Sequence, residues 1–171
     1  TIKTVGDFTS TIDKTRKGDT AAVHGPFGRF SYLLHPDERD LVFLAGGIGI
    51  TPLMAMLRHM RDTGDTRNVT LLFANRREDQ ILFRRELEEI AAGDYPKLQL
   101  VHVLSRPTDH WNGETGHVNG NMLDKYCGQN LNGRTFYICG PSRMAELLIT
   151  SLRTRNVPDA SIRREIFSFL D

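Results

Sequence analysis

Only two cysteines, Cys127 and Cys139, occur in 171 residues. That excludes a disulfide framework of the kind small secreted domains use, and the four-thiolate ligation of an iron–sulfur cluster. The six histidines (24, 35, 59, 102, 110 and 117) contain no H-x3-H or similar pair, so no metal site is expected. No apolar run approaches the ~18–20 residues needed to cross a bilayer. No signal peptide opens the chain, so the expected setting is cytoplasmic, with no membrane contact by the chain itself. Neither sign of charge dominates, with 22 basic and 21 acidic side chains; nothing here is a footprint for nucleic acid or an anionic membrane. Repeats and low-complexity tracts are absent. The length suits one ordinary domain, or one plus a fragment, and a start at Thr1 rather than Met reads as a piece of something longer.

What is present is concentrated in LVFLAGGIGITPLM, residues 41–54. The apolar run 41–45 suits a strand covered on both faces, as in a parallel sheet. Gly46, Gly47 and Gly49 remove side chains where the backbone must turn tightly and approach a ligand. Thr51 has the character of an N-cap, and Pro52 fits a first helical position because its missing donor is not needed there. Free N–H groups at a helix start attract phosphate, so the turn reads as a seat for a nucleotide pyrophosphate. It is not the G-x-G-x-x-G fingerprint, because counting from Gly47 the third glycine's place holds Pro52. Nor is it a P-loop, since no Gly-Lys-Ser/Thr follows. Alone, it fits a plain strand-to-helix turn equally well.

From residue 37 onward strands and helices alternate, predicting an α/β domain with a doubly wound, five-stranded parallel sheet and helices on both faces. Strands are expected near 41–45, 69–74, 98–104, 135–139 and 162–167. The helix after Pro52 places Leu53, Met56, Leu57 and Met60 on one face. A second helix is expected from Asp79, burying Leu82, Phe83, Leu87, Ile90 and Ala91 and stopping at Gly93. A last long helix carries Met144, Leu147, Leu148 and Leu152 inward, ended by Asn156 and Pro158. The loop 107–118, with Trp111, is long enough to be functional or mobile. Residues 1–36 differ in kind: short strands at 2–5, 21–24 and 30–34 are expected, too few for a sheet with its own core.

Three further segments join the glycine turn: FYICGPSRM at 136–144, VLSR at 103–106 and EIFSF at 165–169. With them the chain resembles the ferredoxin–NADP reductase superfamily, the flavin-linked NAD(P)H reductases, over nearly its whole length. That family carries a G-G-x-G-x-T-P turn, a C-G-P turn before its last long helix and an E-x-F-type ending. The resemblance implies that 37–171 is the NAD(P)-binding domain and that 1–36 is the C-terminal remnant of a partial antiparallel flavin-binding β-barrel, closing in Gly25-Pro26-Phe27-Gly28. Gly6, Thr9 and Ser10 resemble the segment set against the flavin pyrophosphate, while the R-x-Y-S motif that holds the flavin is nowhere in this sequence.

By the same resemblance, Gly46, Gly47, Gly49, Thr51, Pro52, Gly140, Pro141 and Met144 bind the dinucleotide. Cys139 and Glu165 are the catalytic pair, one near the hydride-donating carbon and the other orienting the nicotinamide. A small, polarisable thiol allows close approach without hydrogen-bonding that carbon. A buried core thiol and a surface carboxylate are the plainer alternatives. Phe169 lies by the flavin ring or in the core. Ser105 and Arg106 at a strand end suit a ribose 2′-phosphate, since arginine makes bidentate charge-assisted bonds; NADPH is therefore expected over NADH. Arg76 and Arg77 either assist or are solvated.

The resulting expectation is the NAD(P)H-binding part of a reductase passing hydride to FAD, then single electrons to ferric iron, haem or an iron–sulfur protein. The complete protein is either cytoplasmic or the cytoplasmic part of a membrane-attached one. A non-catalytic NAD(P) sensor or docking module, and a dehydrogenase acting on a carbon substrate, are the alternatives.

Overall fold

In the computed structural model, which describes residues 1–166 apart from 3, 5 and 26, the run at 41–45 lies in strand β1 (Asp40–Gly46), buried from Leu41 onward. A 3-10 turn, Gly47–Gly49, leads directly into helix α1 (Ile50–Thr63). There follow β2 (Asn68–Asn75), α2 (Arg84–Ala92), β3 (Lys97–Leu104), β4 (Glu114–Thr115), α3 (Gly120–Cys127), β5 (Arg134–Gly140), α4 (Ser142–Arg153) and β6 (Ile162–Ile166). The strands form one sheet in the order β4-β3-β2-β1-β5-β6, with every pairing parallel. Parallel neighbours need crossover connections, and helices supply most of them. From β1 the chain winds outward through β2 and β3, then crosses to the other side for β5 and β6. The winding therefore reverses between β1 and β5.

Two apolar layers hold the helices. On one face Leu53, Leu57 and Met60 of α1 and Leu87 and Ile90 of α2 gather with Phe43, Leu71 and Phe73. On the other, Met122 and Leu123 of α3 and Leu148 and Leu152 of α4 gather with Val42, Leu44, Phe136 and Ile138. Each fully buried side chain of this size contributes ~1.5–3 kcal/mol. Leu147, expected inward, faces solvent at 64% exposure; Ala145, Leu148, Ile149 and Leu152 form the buried stripe of α4 instead.

The sheet has six strands rather than five. The sixth, β4, is two residues long inside the 107–118 loop, and no alternation of apolar residues marks it. Helix α3 was also not expected: Asn119 caps it, its side chain accepting from the Met122 N–H at 3.1 Å. The second helix begins at Arg84, not Asp79. Glu78–Gln80 form a separate 3-10 turn, and Phe83 sits at φ 56°, so Leu82 and Phe83 pack on the core from outside the helix.

Among the described residues no strand precedes Asp40. Thr9–Lys14 and Tyr32–Leu34 are 3-10 turns, and the segments expected as strands at 21–24 and 30–34 have no ladder partner to satisfy their backbone groups; the one expected at 2–5 lies partly outside the described residues. The end of this segment nevertheless joins the core. Tyr32 is buried, its hydroxyl 2.7 Å from His59 Nδ1 on α1, and Phe30 meets the Tyr137 ring edge-on. Tyr137 donates to Glu38 Oε2 at 2.8 Å, and Arg163 of β6 pairs with the same carboxylate.

Among the described residues, buried side-chain atoms of Arg67, Asn75 and His102 lack a hydrogen-bond partner. Both ring nitrogens of His102 on β3 lack a hydrogen-bond partner, and the ring lies 6.0 Å from that of Phe73. Burial first, then the Arg84 charge, pushes its pKa below the usual histidine value, against a smaller opposing pull from Glu88. The unfolded chain thus binds the proton more readily, so stability is full above about pH 6.5 and falls as pH drops through that value toward the folded pKa. Urea midpoints at about pH 7.5 and 5.5 should show a loss that His102→Leu reduces. An equal loss in the variant would assign the slope to other groups.

Candidate functional site

In an open parallel sheet, ligands bind beyond the carboxyl ends of the strands where the winding reverses. Here that edge lies beyond β1 and β5, and the two turns abut there. A Cβ at Gly49 would stand 2.2 Å from the Cys139 carbonyl oxygen and 2.7 Å from Gly140 N. One at Gly46 would stand 2.8 Å from both Met144 Sδ and Pro141 Cδ, and one at Gly140 would meet Met144 Cε at 2.8 Å. Gly46, Gly49, Gly140, Pro141 and Met144 thus make a single packed contact. Their first duty is to the protein itself, a role that sequence reasoning gave to a ligand. Gly47 differs: its φ is 52°, and a Cβ there would meet nothing within 4 Å.

Thr51 is not the cap of α1. The capping position is Gly49, no side chain caps the helix start, and the Thr51 hydroxyl donates to the Ile48 carbonyl at 3.0 Å. Pro52 is the third helical residue, still within the first turn where an N–H has no intrahelical partner. No side chain caps the start of α1, and the Gly47 turn before it is open, the kind of helix start at which anions bind.

On the β2–β3 side the ladder runs past both strand ends. Ser105 N–H donates to the Asn75 carbonyl at 3.0 Å, and Arg106 N–H to the Arg76 carbonyl at 2.8 Å. Ser105 is half-buried, and Arg76 and Arg106 are exposed. Asn75 is buried, and its Nδ2 has no partner. Sequence reasoning missed it; its only signal is an amide closing an otherwise apolar strand. The 107–118 loop is pinned beside these residues: Trp111 Nε1 donates to the Glu114 carbonyl at 3.0 Å, and the Glu114 carboxylate accepts from Tyr126 and Lys125 of α3.

On the β5–β6 side, Cys139 and Glu165 are register partners. Cys139 is fully buried among the residues of the α1 face. Burial, reinforced by the Glu165 charge, pushes its thiol up to about 12, so it stays a neutral thiol rather than a nucleophile. Phe169 lies outside the described residues. Gly6 precedes the 3-10 turn Thr9–Lys14, and Thr9 and Ser10 are its first two residues. There Ser10 Oγ donates to the Asp7 carbonyl at 2.7 Å and Thr9 Oγ1 to the Gly6 carbonyl at 3.3 Å. With their hydroxyl protons turned inward, these residues as arranged offer a flavin phosphate only backbone groups. Among the described residues no cluster of three or more His, Cys, Asp or Glu is placed to hold a metal, and no helix is long and apolar enough to cross a membrane.

The strand-end residues fit a dinucleotide: an open turn at Gly47, an orphaned buried amide at Asn75, and uncommitted guanidinium groups beside Ser105. The family model for the oxidoreductase NAD-binding domain matches residues 43–149. Cytochrome b5 reductase 4 of Rattus norvegicus is 35% identical over 164 residues, covering 94% of this chain and 31% of that protein. The solved CS-b5R domains of human Ncb5or, in the NAD+ form, superpose with a TM-score of 0.82 at 34% identity, over 95% of this chain and 46% of that one. A ferredoxin NADP+ reductase from Neisseria gonorrhoeae with bound FAD and NADP shares the fold at TM-score 0.70 and 21% identity, over 96% of this chain and 71% of that one. The chain spans between 31% and 55% of the length of the first curated relatives it matches.

Because the Gly49 backbone already has φ −62°, Gly49→Ala carries no dihedral penalty and reports packing alone. It should cost about 1–3 kcal/mol or more, as overpacking against rigid backbone does. Gly93→Ala, where a Cβ would make an ordinary 3.5 Å contact, should be near neutral. Urea denaturation of both variants checks this, and wild-type stability in Gly49→Ala would show that the two turns do not abut.

Proposed function

We propose that this chain, which belongs to the oxidoreductase NAD-binding domain family of the ferredoxin–NADP reductase type, is the NAD(P)H-binding part of a flavin-dependent reductase. The observation that carries this reading is the abutment of the two glycine turns, which sets the open Gly47 turn and the uncapped α1 start over the point where the winding reverses. In the complete protein, the bound dinucleotide supplies hydride to FAD, from which single electrons go to an acceptor protein or metal ion. Likeness to a cytochrome b5 reductase supports a haem protein as that acceptor.

Each residue then has a task. Backbone donors at Gly47 and the α1 start hold the pyrophosphate, and Gly46, Gly49, Gly140, Pro141 and Met144 keep the two turns in register beneath it. Ser105 and Arg106 grip the adenosine end, which supports NADPH over NADH. Cys139, buried beneath the nicotinamide end, keeps that floor small and uncharged, and Glu165 beside it supplies negative charge that orients the ring. Residues 1–36 serve as the last part of the flavin-binding barrel, with Gly6, Thr9 and Ser10 contributing backbone only. Phe169 is assigned to the flavin side.

Two measurements test this reading. The chain by itself should bind NADP(H) and not retain FAD after desalting, since a few backbone contacts do not offset association costs of ~4–15 kcal/mol. Stoichiometric yellow protein would show a complete flavin site within these residues. In the flavin-loaded full-length protein, Cys139→Ser should slow flavin reduction while leaving nucleotide affinity nearly unchanged, because a better-hydrated hydroxyl aligns donor and acceptor less often. An unaltered stopped-flow rate would return Cys139 to core packing.

A further inference from the structure

We propose that Tyr32 is a positioning residue: its ring, clamped between α1 and the residue before β2, mounts residues 1–31 on the α/β domain and so sets the distance between flavin and nicotinamide. The proposal rests on the reading above that those residues end a flavin-binding barrel. Among the described residues before Leu41, Tyr32 alone is buried, at 2% exposure. An otherwise exposed segment thus drives one ring into the core.

The Arg67 guanidinium lies over that ring, with Cζ 4.8 Å from the centroid. The His59 ring of α1 meets it edge-on at 6.0 Å, and His59 Nδ1 stands 2.7 Å from the Tyr32 hydroxyl. Arg67 is itself nearly enclosed, its side chain 10% exposed, and its Nε and Nη1 are buried without a hydrogen-bond partner. Its Nε is 3.7 Å from the Asp65 carboxylate, and its Nη2 is 3.5 Å from the Pro36 carbonyl. A desolvated cation gains most from an aromatic ring, and without the ring this one would be left more poorly paired still. Arg67 and Tyr32 therefore hold one another in place.

One anchor is a pivot, and a second fixes a direction. Ser31 is extended, with φ −150° and ψ 132°, so the rings of Phe30 and Tyr32 fall on the same side of the chain. Both join the α1-side core, and Phe30 reaches the Tyr137 ring edge-on at 5.5 Å. The segment is thus tied at once to α1 and to the strand that carries Cys139. The turn Tyr32–Leu34 is closed locally, the Ser31 side chain accepting from Leu33 N–H and His35 N–H donating to the Tyr32 carbonyl at 3.0 Å. Hydride transfer needs its two reacting atoms about 3–3.5 Å apart, and a misplacement of ~1 Å can cost about a hundredfold. A flavin domain swinging on a loosened segment would lose that alignment. The crevice, built on the turns after β1 and β5, would still bind nucleotide.

Amide hydrogen exchange in the chain by itself and flavin reduction in the flavin-loaded full-length protein test the anchor and its consequence separately. Tyr32→Leu should speed exchange of the Leu34 and His35 amides about tenfold or more. Exchange in β1 and β5, and NADP+ affinity by calorimetric titration, should not change. In the full-length protein the same substitution should slow flavin reduction by saturating NADPH about tenfold or more. Reduction by dithionite, which needs no crevice, should keep its rate. Tyr32→Phe, which keeps the ring beneath Arg67 and loses only the contact to His59 Nδ1, should move both readouts the same way by less, and guards against a folding defect in the leucine variant. Unchanged exchange in both variants would overturn the anchor. Faster exchange with unaltered flavin reduction would overturn the positioning role and leave the reductase reading standing. A wild-type flavin that neither NADH nor NADPH reduces would overturn both.

Discussion

The abutment of the turns after β1 and β5 is the constraint on which the rest of the molecule depends. What a Cβ at Gly49 would strike is the Cys139 carbonyl, the carbonyl carbon and Gly140 N. All three are main-chain atoms of the central sheet, and no rotamer change can move them aside. The approach is close because two neighbouring strands, wound in opposite directions, both end here and both turn into helices. In the G-x-G-x-x-G turn the third glycine allows close packing of helix on strand. Here the tight contact falls earlier, at Gly49, and is made to the adjacent strand end, which frees the later position for Pro52. The ligand side of the turn is left to Gly47 alone, held at φ 52° with open space around it.

The edge built on that contact is electrically lopsided. Just past β2 and β3 stand two uncommitted arginines, while within the last residues of β5 and β6 lie a buried neutral thiol and a carboxylate. A dinucleotide reductase needs such a difference, because the two halves of its cofactor differ in the same sense. The adenosine half carries any extra phosphate, and the nicotinamide ring gains positive charge on giving up hydride. On the function proposed above, charge complementarity would orient the dinucleotide before any specific contact forms. The high pKa of Cys139 belongs to this division of labour: an ionised thiolate beside Glu165 would pair two negative charges in a buried place, and burial prevents it.

Much of the sheet and α1 were legible because burial on both faces leaves a plain record: continuous apolar runs for β1 and β5, and a 3-4 stripe for α1. The misreadings arose where residue type and role part company. Thr51 has the chemistry of a cap, but the 3-10 turn before it places Gly49 there and turns its hydroxyl back to Ile48. Strand β4 is too short to carry a pattern, and α3 opens with Gly120 and Asn121, both poor helix formers that masked the Asn119 cap. Residues 21–24 and 30–34 have strand-like composition, but a strand also needs a partner, and composition does not supply one. Arg76 and Arg77 are indistinguishable as letters. Only the folded position of Asp79, whose carboxylate accepts both Arg77 bonds, tells the committed one from the free one.

The same dependence of the site on the fold appears at the opposite end of the strands. Glu38 stands just before β1, yet accepts from Tyr137 of β5 and from Arg163 of β6. Tyr137 is two residues from Cys139, and Arg163 two from Glu165, so in each strand the anchored residue and the site residue share a face. One carboxylate thus ties together the two strands that carry Cys139 and Glu165. Its loss would leave a buried hydroxyl and a largely enclosed guanidinium without their partner, which costs far more than the pair contributes when intact. The raised pKa of Tyr137, from burial and then from its bond to Glu38, keeps that hydroxyl a donor. Cys139 and Glu165 near the carboxyl edge are therefore positioned from the amino edge, through the strands that carry them.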